Sequence, residues 1–424
     1  MSTQSHCPYR QSKNLLDALA PAKTKVAFLL GAGCPASIPH PDGDGTTPLI
    51  PAIRELTADI KKKLGESAEH KDSFNIILKR FSEGGPADPT IEDILSHIRA
   101  LQEVVRDGDI HGLNRTSLSG LDEKICEITT EVVGAELPDS NTPYHQLTKW
   151  INGIPREHPV EIFTPNYDLL VEQALELHRV PYFDGFVGAK EAFFDLTSME
   201  EDVSLPATCL PVRWSRLWKL HGSINWWGRY EGEDKKTLKV VRTGTGKPIE
   251  GDRQMIYPSH LKYDESRRLP YLAMLDRLKN FLARGQAVLV TCGYSFADQH
   301  LNEVIFQGLR SNPTAICFGL LYGPRSNYSG ELIKKQKHPN LSLLARDGAV
   351  LGTIERAWRS DENTEHAMHG LSVIKKDVPV GDDAIVTNCE FQLGDFKHFG
   401  DFLAQQLSRF DDEHQGEKKD GDVA

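Results

Sequence analysis

Four short apolar runs in this chain each stop abruptly at a cluster of glycines or small polar residues: KVAFLLGAG at 25–33, VEIFTPNYD at 160–168, LWKLHGS at 217–223 and AVLVTCGYS at 287–295. An unbroken apolar run closed by a turn signal is how a strand buried on both faces reads. Helical patterns separate the runs. Ile53, Leu56, Ile60 and Leu64 share one helical face, and Pro51 just before them suits a first turn. Strands alternating with helices predict an α/β fold with a parallel, doubly wound sheet. A fifth run, AICFGLLY at 315–322, continues the same order.

The rest of the chain hangs on that frame. From about 67 to 150 the pattern is mostly helical, with polar breaks at FSEGGPADPT and VVRDGDIHGLNRT, and reads as a helical insertion. The polar, glycine-rich stretch GRYEGEDKKTLKVVRTGTGKPIEGDRQ is expected to hold a hairpin, and LPYLAMLDRLKNFLARG a helix. Near the end, Phe396, Phe399, Leu403, Leu407 and Phe410 fall on one helical face that should dock on a core. The final DDEHQGEKKDGDVA has almost nothing to bury and is expected to be disordered. The resulting division is an N-terminal segment at 1–20, a sheet domain at 21–325 that contains the insertion, a C-terminal extension at 326–410 packing on the core or making oligomer contacts, and an acidic tail at 411–424.

Composition removes several function classes. With 424 residues, 39% hydrophobic and 26% charged, the chain can build a large core. Its apolar runs are too short to span a bilayer, and MSTQSHCPYRQSK has no apolar segment behind its charges. A cytoplasmic protein with no membrane partner is therefore expected. The net charge of -11 argues against a surface that tracks nucleic acid through clustered Lys and Arg. The seven cysteines are odd in number and scattered, with no CxxC pair, which speaks against a disulfide framework and a zinc ribbon. No metal site is expected.

Ligands of open parallel sheets bind beyond the carboxyl ends of the strands, so the junctions carry the chemistry. At LLGAGCPAS, Gly31 and Gly33 let the backbone approach a diphosphate closely; the plain alternative is a tight strand-to-helix connection. At TPNYD, Asp168 suits a helix cap, while Thr164 and Asn166 place hydrogen-bonding groups at the end of a core strand, where an amide can meet sugar hydroxyls. His221 offers an imidazole suited to proton transfer near neutrality, or a structural turn histidine. In the last junction Gly293 permits close approach, Ser295 offers a hydroxyl, and Asp298 caps the next helix or binds a sugar.

Taken together and in this order, the junctions resemble the sirtuin-like family over roughly residues 20–325. GAG at 31–33 is similar to the family's glycine-rich NAD loop, TPNYD at 164–168 to its Thr-x-Asn-x-Asp segment, LHGS at 220–223 to its catalytic-histidine segment, and CGYSFADQHLN at 292–302 to the late strand-end motif of a bacterial branch. The resemblance implies a sirtuin-like, Rossmann-type sheet and NAD+ as substrate. This chain departs from the protein-deacylating members: it lacks their four-cysteine zinc module, has Pro35 where GAGxS expects serine, and has Tyr167 where a small aliphatic residue is usual. With the helical insertion, these departures resemble the NAD-consuming bacterial defence branch, and within it the subunit that works with a HerA-type ATPase in Nezha-type antiphage systems.

What the resemblance implies can be stated residue by residue. His221 would act as general base, Asn166 would orient the ribose and the attacking water, and Asp168 would contact the nicotinamide carboxamide. Gly31, Ala32, Gly33 and the following turn would hold the diphosphate, Thr164 would also bind the cofactor, and Gly293, Ser295 and Asp298 would line the adenosine side. The implied activity is hydrolysis of NAD+ to nicotinamide and ADP-ribose, depleting NAD in antiphage defence. Implied partners are a hexameric HerA-type ATPase and further copies of the chain in a large homo-oligomer, with nucleic acid reached only through the ATPase. Two alternatives stand beside this: a module that senses NAD or ADP-ribose without turnover, and an NAD-dependent protein deacylase. A nuclease ranks behind them, since the sequence has no HxH, DxD-rich cluster or basic stripe.

Overall fold

The structure is a computed structural model that describes residues 6–420 apart from 43–44, 85–87, 106–107, 200–210, 212, 232–236, 245–252, 257–269, 329–336, 360–368 and 381–383. Each of the five apolar runs is a strand. They belong to one nine-stranded sheet made of β1 (Lys25–Leu30), β2 (Glu161–Thr164), β3 (Tyr182–Phe183), β4 (Ser215–Lys219), β5 (Ala287–Cys292), β6 (Ala315–Leu320), β7 (Leu341–Ala345), β8 (Gly348–Leu351) and β9 (Ile354–Ala357).

The spatial order is β9-β8-β7-β6-β5-β1-β2-β4-β3. Strands β1 to β7 run parallel, and β8 and β9 close the far edge antiparallel. The chain moves outward from β1 through β2 to β4, then returns to place β5 on the other side of β1. Strand order therefore reverses between β1 and β5, the place where a doubly wound sheet opens a crevice. This is the Rossmann-type arrangement expected from the sequence. The sheet does not stop near residue 325: β7, β8 and β9 carry it to Ala357.

Both faces of the sheet centre are covered, which is why β1, β5 and β6 read as apolar runs. Along β1, Val26, Phe28 and Leu30 enter one core while Ala27 and Leu29 enter the other. The second core is filled by the helices Tyr271–Ala283 and Gln299–Ser311 and by a five-stranded antiparallel sheet, whose own Trp226 and Phe186 pack with ring centroids 5.0 Å apart. The hairpin expected in the polar stretch is part of that smaller sheet: Gly222–Glu231 pairs antiparallel with Thr237–Arg242. Residues 232–236, between these two strands, lie outside the described residues.

The first core is continuous with the helical insertion. Helices Ile53–Glu66, Lys71–Gly84, Ile91–Val105 and Arg115–Val133 bury Ile60, Leu64, Ile77, Ile94 and Leu121 in the same cluster as Phe28 and Leu30. Within the insertion, the Arg99 guanidinium meets the Asp122 carboxylate at 3.0 Å, with both side chains buried. The C-terminal helix, Phe396–Asp420, closes this side. Phe396, Phe399 and Leu403 are buried on its inner face and Leu407 packs at the edge, while Trp150 donates its indole N–H to Gln406 Oε1 at 3.0 Å. The last four residues of the acidic tail, and the side chain of Phe410, lie outside the described residues.

Candidate functional site

The carboxyl ends of β1, β2, β4 and β5 meet where strand order reverses. At the end of β2 the Thr164 hydroxyl donates to the Leu30 carbonyl (2.7 Å) and accepts the Asn166 N–H (3.0 Å). Asn166 Nδ2 donates to the Gly31 carbonyl at 3.1 Å. These short polar side chains replace ladder bonds with local ones, so the strand ends in a fixed turn. Beyond the turn, Asp168 Oδ1 accepts the Leu170 N–H at 3.1 Å, at the start of the helix Leu170–Leu177.

Behind the turn sits a buried charge cluster. Lys219, 2% exposed, donates to the Asp168 carbonyl oxygen, and its ammonium lies 3.2 Å from Glu172 Oε1. Burial pushes the Asp168 and Glu172 carboxyls above their ordinary range, and the Lys219 charge partly opposes that rise.

The glycine loop has a different first duty from the one expected of it. The N–H groups of Gly31, Gly33 and Cys34 are committed to the carbonyls of Cys292, Gly293 and Gly31 at 2.9–3.0 Å. A Cβ on Gly31 would collide with the Gly293 carbonyl, and one on Gly33 would lie 2.8 Å from Gly293 Cα. Gly293 itself has φ +63, and a Cβ there would lie 2.5 Å from the Cys34 nitrogen. The close approach these glycines permit is therefore the interlocking of two strand ends. Ala32 is the loop residue that reaches the cavity wall.

His221 follows β4, after Leu220 has extended the ladder by donating to the Thr164 carbonyl at 2.8 Å. His221 Nε2 is 3.1 Å from Asp298 Oδ2, and each side chain is about one-fifth exposed. Asp298 does two things: its Oδ1 also accepts the N–H groups of His300 (2.9 Å) and Leu301 (3.1 Å), capping the helix Gln299–Ser311. The stretch before it is held hard. Phe296 takes φ +56, a left-handed conformation costly for a bulky side chain, and is fixed by Asn302 Nδ2 on its carbonyl (2.7 Å) and by the Tyr294 hydroxyl on Asn302 Oδ1 (2.8 Å).

These junctions enclose a cavity of about 720 Å³, within the usual range for small-molecule sites. Its sheet side presents Ala32, Asn166, Asp168, His221, Gly293, Ser295 and Asp298. Gly31, Gly33 and Thr164 stand behind that wall as its support. The facing wall comes from the helical insertion and the segment leading into it: Ile50, Ile53, Leu56, Thr90, Glu92 and Val133. The two walls touch where the Tyr167 hydroxyl donates to Glu92 Oε1 at 2.8 Å. Nothing in the spacing around Glu92 marks it as a site residue, because it is an ordinary acidic residue in the first turn of a helix. Tyr167 carried a signal, as the unusual residue between Asn166 and Asp168.

Residues 160–341 match the SIR2-like domain family. The match opens at β2 and ends with the first residue of β7, so β1 and its glycine loop precede it. Three of the four junctions, with Asn166, Asp168, His221 and Asp298, fall inside this SIR2-like region. Solved structures similar to the chain include a Sir2 homologue in complex with NAD, at 14% identity over 81% of this chain and 90% of that one with a TM-score of 0.35. A mutant Sir2 homologue in complex with ADP-ribose is similar at 13% identity over 75% of this chain and 88% of that one, with a TM-score of 0.33. A comparison with curated proteins finds no match. Among the described residues there is no group of three or more His, Cys, Asp or Glu that could hold a metal ion, and no helix is long and apolar enough to cross a membrane.

Proposed function

We propose that the chain hydrolyses NAD+ at the bond between nicotinamide and ribose, giving nicotinamide and ADP-ribose. The observation that carries this reading is the His221–Asp298 pair standing on the same cavity as Asn166 and Asp168, at the crevice of a SIR2-like region. The site fits the substrate by size and by its donor set: polar groups at the strand ends face an apolar wall that suits an aromatic ring.

The chemistry asks little of an acid, because the nicotinamide ring leaves as a neutral molecule once the bonding pair returns to its positive nitrogen. The residues must hold the sugar, tolerate positive charge growing at its first carbon, and deliver water. Asn166, fixed by Gly31, offers a rigid amide dipole to the sugar hydroxyls and the water, and rigid dipoles stabilise growing charge without reorganising. Asp168 lies beside it on the same wall. An imidazole that donates Nε2–H to Asp298 carries its lone pair on Nδ1, the atom that takes the proton released by the attacking water. Asp298 fixes that tautomer, as the carboxylate of a catalytic triad does.

Our wider proposal is that this activity depletes NAD in antiphage defence, in a large assembly of the chain with a HerA-type hexameric ATPase, which alone would contact nucleic acid. The test is nicotinamide release by the purified chain, alone and with the ATPase, beside His221→Ala and Asn166→Ala. Release by wild type and by neither variant supports the reading. NAD bound but intact under every condition would instead favour a sensing module.

A further inference from the structure

We propose that Glu92 is a positioning residue for this reaction: through the Tyr167 hydroxyl it holds the 165–168 turn, and with it the Asn166 amide, in register with the site. The inference rests on the NAD-cleaving reading above.

The turn is anchored from several directions. From β1, the Leu30 and Gly31 carbonyls hold Thr164 and Asn166. From the strand that follows His221, the Ile224 N–H (3.1 Å) and the Ser223 hydroxyl (3.3 Å) both donate to the Tyr167 carbonyl. From β4, Lys219 donates to the Asp168 carbonyl. All these anchors belong to the sheet side. The bond from Tyr167 to Glu92 is of another kind, because it crosses the cavity to the helical insertion.

Glu92 is itself well placed to act as a fixed point. It lies in the first turn of the helix Ile91–Val105, whose start is stapled twice. Asp93 Oδ2 accepts the Thr90 N–H (2.9 Å) and hydroxyl (2.7 Å), and the Ile91 N–H donates to Thr57 Oγ1 in the neighbouring helix (2.9 Å). The insertion and the helix that leads into it, Ile53–Glu66, thus fix the backbone that carries Glu92, and the Glu92 carboxylate holds the ring that stands between Asn166 and Asp168 in the chain. A shift of the insertion would reach Asn166 through one side chain. This gives the insertion a means of setting the rate without contacting the sugar.

The test uses the full chain, with the ATPase present if turnover requires it, and reads nicotinamide release against NAD+ concentration. Glu92→Ala and Tyr167→Phe should each lower kcat by roughly tenfold to a hundredfold, the usual cost of a misplaced site, while KM for NAD+ moves far less. Glu92→Gln keeps an acceptor for the hydroxyl and should stay within about threefold of wild type. The double variant Glu92→Ala with Tyr167→Phe should be no slower than either single one, since both remove the same bond. An unchanged kcat in Glu92→Ala, a Gln variant as slow as the Ala variant, or additive losses would each overturn the proposal. If the wild type releases no nicotinamide, the NAD reading itself fails, and the tether is then read from deuterium uptake at amides 166–170. Uptake that rises in Glu92→Ala and Tyr167→Phe but not in Glu92→Gln supports the tether, and uptake unchanged in all three overturns it.

Discussion

Asp298 concentrates the site's logic in a single carboxylate. One oxygen caps the start of a helix and the other meets His221, so the position of the imidazole is tied to the start of the helix Gln299–Ser311. Asp298→Asn keeps an acceptor for the cap but weakens the hold on the imidazole. We expect nicotinamide release to fall by roughly a hundredfold with the fold intact, the low end of what a positioned general base contributes, since Asp298 positions that base. A melting temperature within a degree or two of wild type would show that the loss is chemical. At this scale the place of His221, Asn166 and Asp168 on the cavity wall was legible in the sequence, because each stands one to four residues beyond a run that reads as a buried strand. The meeting of His221 with Asp298 was not legible, since 77 positions separate them and only the folding of β4 beside β2 and β5 beside β1 brings their ends together.

Between elements, the glycines and the buried lysine do the joining. Gly293→Ala would force a side chain onto a left-handed backbone and onto the Cys34 nitrogen. We expect a loss of about 2 kcal/mol or more in chemical denaturation, since the left-handed conformation alone costs roughly 1–2 kcal/mol. A variant as stable as wild type would mean that the two strand ends do not interlock. Lys219→Ala leaves the Glu172 carboxyl buried without its cation, at a cost on the order of 3–5 kcal/mol. Adding Glu172→Gln removes the stranded charge and should recover part of that loss, and no recovery would place the damage elsewhere. The strands at these joints were legible because burial on both faces leaves them mostly apolar, with the few polar exceptions such as Glu161 and Lys219 paired inside the protein. The two-residue β3 and the exposed edge strand β9 were not, as elements this short and half-exposed at an edge carry little apolar pattern.

For the molecule as a whole, the helical insertion and the sheet share one core, so they should melt together in a single transition. Acid should weaken the whole fold. Burial lowers the pKa of His97, His145, His178 and His338 from its ordinary 6.5. Such a histidine stays neutral in the folded state while the unfolded chain takes up a proton, so stability is lost as pH falls through 6.5 toward the lowered value. His145 lies 5.4 Å from His178, ring to ring, with Lys149 adding to the positive surroundings and Asp139 opposing it. The melting temperature should drop between pH 7.5 and 5.5, and by less in His145→Gln. An equal drop in both would remove His145 from the account. The raised carboxyls act in the opposite sense, since Asp168 and Glu172 lose stability for the fold as pH climbs above their ordinary values of 3.8 and 4.5.

The cavity has two walls of different origin. A small molecule shaped only to the strand ends would meet backbone and short polar groups whose places the sheet dictates, and it would bind other sheets of this kind almost as well. One that reached across to Ile53, Leu56 and Glu92 would be reading the lining that belongs to this chain, and selectivity in an inhibitor would have to be sought there.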